Sequence, residues 1–141
     1  MFKVLVDTNI LIYATDKKSI FHYQSYEKLN YLLSTGHSLF FNGQVIREYI
    51  NFFSTRGDLS LKQVIENVTS FRKYFILLEE NEKTVEEFIN MVLRFQVKGK
   101  KVFDCNLVAA MQRHQIPDLL THNVRDFDRY REIINILPLL S

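Results

Sequence analysis

The spacing of apolar residues changes period several times along this chain, and each change marks a predicted element. The stretch FKVLV, from Phe2, is short, β-branched and bounded by polar residues, which predicts a buried strand. Helical spacing follows from Asn9 to about Ala14. A stripe of Tyr26, Leu29, Leu32 and Leu33 predicts a helix from about His22 to Ser34, stopped by Gly36. SLFFN reads as a second strand. GQVIREYINFFSTRG has apolar residues at 45, 46, 49, 50, 52 and 53, a helical period closed by Gly57, and Ser60 caps the next helix.

The second half repeats the alternation. YFILL, near residue 76, is a strand candidate, followed by a helix from about Asn81 to Val97. Its Glu82, Glu86 and Glu87 read as a solvated face favoured by the helix dipole. A helix from about Val102 to His114, the strand DLLT, the loop HNVRD and a last strand IINIL complete the chain. Strands alternating with helices predict an α/β fold, a three-layer α/β/α sandwich around a central parallel sheet. No repeat, linker or low-complexity tract interrupts it, and 141 residues at 47% hydrophobic suit a single domain over 1–141.

Bulk charge narrows the picture little. Eighteen Lys and Arg against sixteen Asp and Glu give +2, too near balance to predict a nucleic-acid or membrane partner, so any basic surface is local. The single cysteine, Cys105, has no partner for a disulfide or a thiolate metal site, which suits a reducing, cytoplasmic setting. The start MFKVLVDTN has neither the length nor the flanks of a signal peptide or membrane span.

The acids are more informative. Asp7 ends the first apolar run, and a carboxylate buried there without partners costs several kcal/mol. Ligands of open parallel sheets sit beyond the carboxyl ends of the strands, where Asp7 falls. The ordinary alternative is that Asp7 or Thr8 caps the following helix. Glu48 lies at the margin of the stripe Val45, Tyr49, Phe52 and Phe53, whereas a solvated Glu belongs opposite it; an acid with its stem along the core is the ordinary alternative. Asp104 shares a helix face with Leu107, Val108 and Met111, or else simply complements the helix dipole. Thr121, Asn123 and Asp126, in THNVRDF, fall in a loop at the sheet edge of Asp7, or form an Asx turn capping a short helix.

Four acids at one edge repel strongly unless a cation neutralises them. The ligand candidates are all oxygen donors, which favours Mg²⁺ or Mn²⁺ over Zn²⁺, with His122 facing solvent beside them. Carboxylate-held Mg²⁺ serves mainly phosphate chemistry, pointing to a nuclease or phosphatase.

Over nearly its whole length the chain resembles the PIN-domain ribonucleases, and within them the VapC-type toxins of type II toxin–antitoxin modules. VDTNILIY looks like the first motif, Glu48 the helix acid, DCNLVAA the third motif beginning with Asp104, and THNVRDF the closing signature. The resemblance implies a metal-dependent endoribonuclease with Asp7, Glu48, Asp104 and Asp126 as its acidic, metal-holding cluster. Thr121 and Asn123 support it by hydrogen bonding, beside Thr8 and Asn9 of the first motif. Some relatives carry an acid where Asn123 stands, so the fourth contact falls at 123 or 126. A small DNA-binding antitoxin and a toxin homodimer are further implications. Lys98, Lys100 and Lys101 near Asp104, with Arg125 and Arg129 near Asp126, either contact RNA phosphates or solvate the rim.

Two other functions compete. A hydrolase of the haloacid dehalogenase type also begins with an acid after a strand, but a second Asp normally follows two residues on, where this chain has Asn9. A catalytically inactive PIN-like module would hold RNA or protein without cutting.

Overall fold

A computed structural model describes residues 2–140. The first buried run forms β1 (Lys3–Val6), and Asp7 then starts α1 (Thr8–Thr15). Next come α2 (His22–Ser34), β2 (Ser38–Phe41), α3 (Gly43–Arg56), α4 (Leu61–Tyr74) and β3 (Ile76–Leu77). The second half contributes α5 (Glu82–Phe95), α6 (Lys101–His114), β4 (Asp118–Thr121), a 3-10 helix (Val124–Tyr130) and β5 (Asn135–Pro138).

Local signals account for most of these boundaries. Asn42 caps α3 by accepting from the Val45 backbone N–H at 3.1 Å, and Gly57 ends it in the left-handed region at φ 76°. Ser60 with Gln63, and Asn81 with Thr84, form reciprocal capping boxes on α4 and α5. Helices α5 and α6 end less obviously, on Gln96 and Gln115 at φ 53° and 57°. A left-handed non-glycine residue costs about 1–2 kcal/mol. At both ends the next apolar residue, Val97 or Ile116, is buried and donates its N–H back to Val92 or Met111, which offsets that cost.

All strand pairs are parallel, in the order β3-β2-β1-β4-β5. The chain steps outward from β1 to β2 to β3, then returns across the sheet to β4 and β5. Right-handed crossovers therefore put α1 to α4 on one face and α5 and α6 on the other. The packing agrees, with α1 against α2 and α3, α3 against α4, and α5 against α6. The direction reverses between β1 and β4, a topological switch point whose crevice lies beyond the strand ends. In the β1–β4 register Val6 faces Leu120, so Asp7 and Thr121 come next together.

Burial is continuous through the sheet, from Val4, Leu5 and Val6 to Leu39, Phe41, Leu119 and Leu120, with Val45, Tyr49, Phe53, Val108 and Met111 packed from the helices. Tyr49 also carries a polar link: its hydroxyl is 2.8 Å from Thr15 Oγ1 and accepts from Asn67 Nδ2 at 3.2 Å, joining α1, α3 and α4.

Three expectations need correction. Tyr26 is 53% exposed; α2 buries Ser25, Leu29 and Leu32, and the small Ser25 takes the inward place near Tyr26. YFILL pairs only at Ile76–Leu77, an edge strand with both side chains exposed, while Phe75 ends α4 in the core. HNVRD is no loop: from Val124 it winds into the 3-10 helix, held by the inward Phe127 and Tyr130.

Candidate active site

Asp7 is buried, 7% exposed, yet well supplied with donors. Its Oδ1 accepts the Thr8 backbone N–H at 2.8 Å, which makes Asp7 the N-cap of α1. Its Oδ2 accepts from Thr121 Oγ1 at 2.8 Å and Asn9 Nδ2 at 3.0 Å. Capping and a place in the crevice are therefore one arrangement, because a strand that ends in a helix N-cap points the cap carboxylate out of the sheet edge. Burial pushes the Asp7 carboxyl up from 3.8 to about 6, with the Glu48 charge adding to it, against the lowering bonds from Thr121, Thr8 and Asn9.

Asn9 and Thr121 tie the first and last motifs together. Asn9 Nδ2 also reaches Thr121 Oγ1 at 3.3 Å, and its Oδ1 accepts the His122 backbone N–H at 3.1 Å. Thr121 Oγ1 accepts from the Asn123 N–H at 3.0 Å. Asn123 is exposed and contributes this backbone N–H; Asp126 is exposed too, in the first turn of the 3-10 helix. His122 does not face solvent. Its ring is half-buried, packed on Phe21 with centroids 4.2 Å apart and edge-on to Tyr13 at 5.7 Å.

Glu48 belongs to the exposed residues, although its Oε1 is held from two sides, by Thr8 Oγ1 at 3.2 Å and Gln44 Nε2 at 3.2 Å. Asp104, half-buried in the first turn of α6, completes the group. Burial first, then the charges of Asp7, Asp126 and Glu48, raise its carboxyl from 3.8 to about 7. The four acids come from four segments and feel one another through Asp104.

Among the described residues none of these four acids is in an ion pair with Lys or Arg. Nor does any group of three His, Cys, Asp or Glu side chains converge there as a ready-made metal site. The donor set thus fits a hard divalent cation by chemistry, as unpaired carboxylate oxygens with mutual repulsion, rather than as a closed cage.

The basic residues neighbour the acids in sequence. Lys98, Lys100 and Lys101 are exposed, in the turn before α6 and at its first residue. Arg125 is exposed, while Arg129 donates to the Phe95 carbonyl at 3.4 Å and so leans on the end of α5.

Gln44 of the site carries no motif, and it pairs with Asn106 of the third motif. Gln44 Nε2 donates to the Phe103 carbonyl at 3.0 Å as well as to Glu48, and Gln44 Oε1 accepts from Asn106 Nδ2 at 2.8 Å. This amide bridge joins α3 to α6 across the sheet end and positions the turn bearing Asp104 against Glu48. Its sequence signal was the i, i+4 spacing of Gln44 and Glu48.

The sequence matches the family model described as PIN domain over residues 4–133. No curated protein matches it. Solved structures do, at low identity. VapBC2 from Rickettsia felis bound to a DNA fragment from its promoter aligns with TM-score 0.73 and 15% identity, over 97% of this chain and 98% of that one. A toxin–antitoxin complex from Klebsiella pneumoniae gives 0.71 and 16%, over 98% of each chain. VapC20 from Mycobacterium tuberculosis, a sarcin-ricin loop cleaving toxin, gives 0.64 and 10%, over 82% and 86%. These likenesses give the fold, a parallel sheet between helical layers, and the match from residue 4 to residue 133 gives the lineage: the chain belongs to the PIN-domain family.

Proposed function

We propose that this chain is an endoribonuclease that hydrolyses RNA phosphodiester bonds with Mg²⁺ or Mn²⁺, and that it acts as the toxin of a toxin–antitoxin pair. One observation carries the reading: Asp7, Glu48, Asp104 and Asp126 gather at the switch point of the sheet with no basic partner among the described residues. Paired acids of purely structural use are normally neutralised by Lys or Arg; these await a charge from outside.

The same four acids are the proposed metal holders. A divalent cation held there would supply a counter-charge and Lewis acidity toward water and the phosphate oxygens. The chain's own residues prepare that role. Thr121, Thr8 and Asn9 fix both oxygens of Asp7, so its carboxylate has one orientation before any ligand arrives. Thr8 and Gln44 hold Glu48 through Oε1. Fixed ligands lose little freedom on binding, which is the benefit of such supporting bonds. Lys98, Lys100, Lys101, Arg125 and Arg129 are the proposed phosphate contacts, supported by their exposure and by their nearness in sequence to Asp104 and Asp126.

A small DNA-binding antitoxin is the proposed protein partner, and a homodimer the proposed assembly. Support comes from neighbours solved as VapBC and toxin–antitoxin complexes, which align over nearly their whole length. An RNA substrate is supported by the neighbour described as cleaving the sarcin-ricin loop. No helix among the described residues is long and apolar enough to cross a membrane.

The test is incubation of wild type, Asp7→Asn and Asp104→Asn with structured and unstructured RNA, in Mg²⁺, Mn²⁺ or excess EDTA. Cleavage confined to the wild type with metal is expected. Cleavage that survives EDTA or Asp7→Asn would refute it. RNA binding without cleavage would make the chain a binding module.

A further inference from the structure

Beside the acids lies a cavity of about 560 Å³, within the size of small-molecule sites, roughly 300–1,000 Å³. Glu48 lines it and also belongs to the acidic group, so the cavity borders the acids. Its apolar side is built from Phe88, Val102 and Phe103. The Phe103 ring is 57% exposed although it immediately precedes Asp104. The Gln44 bond to the Phe103 carbonyl holds that backbone, so the ring hangs from a fixed point beside the acids.

The polar rim says what kind of ring fits. No lysine lines the cavity, and its arginine, Arg47, folds its guanidinium over Gly43 and shares the lining with two acids, Glu48 and Glu80, so the rim does not favour a phosphate. Glu80 and Asn106 Oδ1 are acceptors, and one of the two Asn106 Nδ2 hydrogens is taken by Gln44. An uncharged, flat group with amine donors on its edge matches this set.

We propose that this cavity is a nucleobase subsite, with Phe103 as stacking platform, so that the site takes single-stranded RNA with an unpaired, amine-bearing base beside the scissile phosphate. The inference rests on the ribonuclease reading. Its physical reason is that a base inside an A-form duplex has no free face, whereas an unstacked base can lie on an aromatic ring and show its edge to acceptors. Uracil, lacking an exocyclic amine, is the poorest fit.

The experiment uses cleavage and binding together. Wild type, Phe103→Trp, Phe103→Leu and Phe103→Ala are assayed for KM and kcat on single-stranded and duplex RNA of one sequence. Binding is followed on an Asp7→Asn background with a single-stranded oligonucleotide carrying 2-aminopurine, whose fluorescence is quenched on stacking. Phe103→Trp is expected to keep wild-type KM and quenching. Phe103→Leu, which keeps apolar bulk without a π face, and Phe103→Ala are expected to raise KM about tenfold with little change in kcat, and to lose the quenching. Cutting of duplex and single strand alike, or a wild-type KM in Phe103→Leu, would overturn the subsite alone. So would light scattering in which Phe103→Leu breaks an oligomer, since the ring would then belong to a protein contact. Failure of the wild type to cut any RNA would instead overturn the ribonuclease reading.

Discussion

Thr121 Oγ1 donates to Asp7 Oδ2 at 2.8 Å, closing a contact between residues 114 positions apart. Among the bonds that hold down the Asp7 pKa, this one does most. Thr121→Val keeps the shape and removes the donor, so Asp7 should bind its proton more tightly. Mn²⁺ affinity should then fall about tenfold, the usual cost of losing a supporting bond to a ligand. Thr121→Ser should retain it. Calorimetry on the three proteins checks this, and equal affinities would deny Thr121 a supporting role.

The raised carboxyls at Asp7 and Asp104 fix the sign of a pH effect. Both titrate higher in the fold than their ordinary 3.8, at about 6 and about 7, so the folded state holds their protons more tightly. Stability therefore falls as pH rises through the window from about 4 to about 7, and the penalty is complete above it. For the buried Asp7 alone the shift is worth about 3 kcal/mol. In EDTA the melting temperature should be higher at pH 5.5 than at pH 8. Asp7→Asn and Asp104→Asn should each flatten that slope and raise the pH 8 value. A scan showing no difference between the variants and wild type would contradict it.

The same substitutions should abolish function. Asp7→Asn, Asp104→Asn and Glu48→Gln are expected to cost orders of magnitude in cleavage with nearly unchanged circular dichroism, because the acids act as a set. Asp126→Asn, on an exposed first turn, should cost less. Asn123→Ala should cost little, since the bond of Asn123 to Thr121 is made by its backbone.

Replacing Lys98, Lys100 and Lys101 by Ala should weaken RNA binding and reduce the salt slope by about two to three, one for each phosphate that a lysine no longer neutralises. Arg129→Ala should affect stability more than the slope, because that guanidinium leans on Phe95. Binding titrations from low to high salt separate the two.

One prediction concerns the fold alone. Ser25 is fully buried in α2, and its hydroxyl has no hydrogen-bond partner among the described residues. Ser25→Ala removes an unsatisfied group and improves helix propensity, so it should stabilise by about 1 kcal/mol. A lower midpoint in urea would show that the hydroxyl is satisfied.

Much of the architecture was legible in the sequence because it follows from local physics. A β-branched run that stops at an acid, helical stripes closed by Gly57 or opened by Ser60 and Asn81, and the regular exchange of periods all act within a few residues. They were enough for an α/β/α sandwich and for placing Asp7, Glu48 and Asp104 on separate elements. Tertiary structure decided the rest, because those features depend on what lies opposite. Parallel pairing of β1 with β4 brings Thr121 to Asp7, and the return of the chain across the sheet sets α6 near α3. Only then do Gln44 and Asn106, ordinary polar residues in their own helices, become a bridge. The same is true of His122, drawn inward by Phe21 and Tyr13, and of Phe103, whose exposure beside an acid no periodicity reveals. Period and capping are properties of a segment, whereas burial, proton affinity and amide pairing are properties of the space between segments.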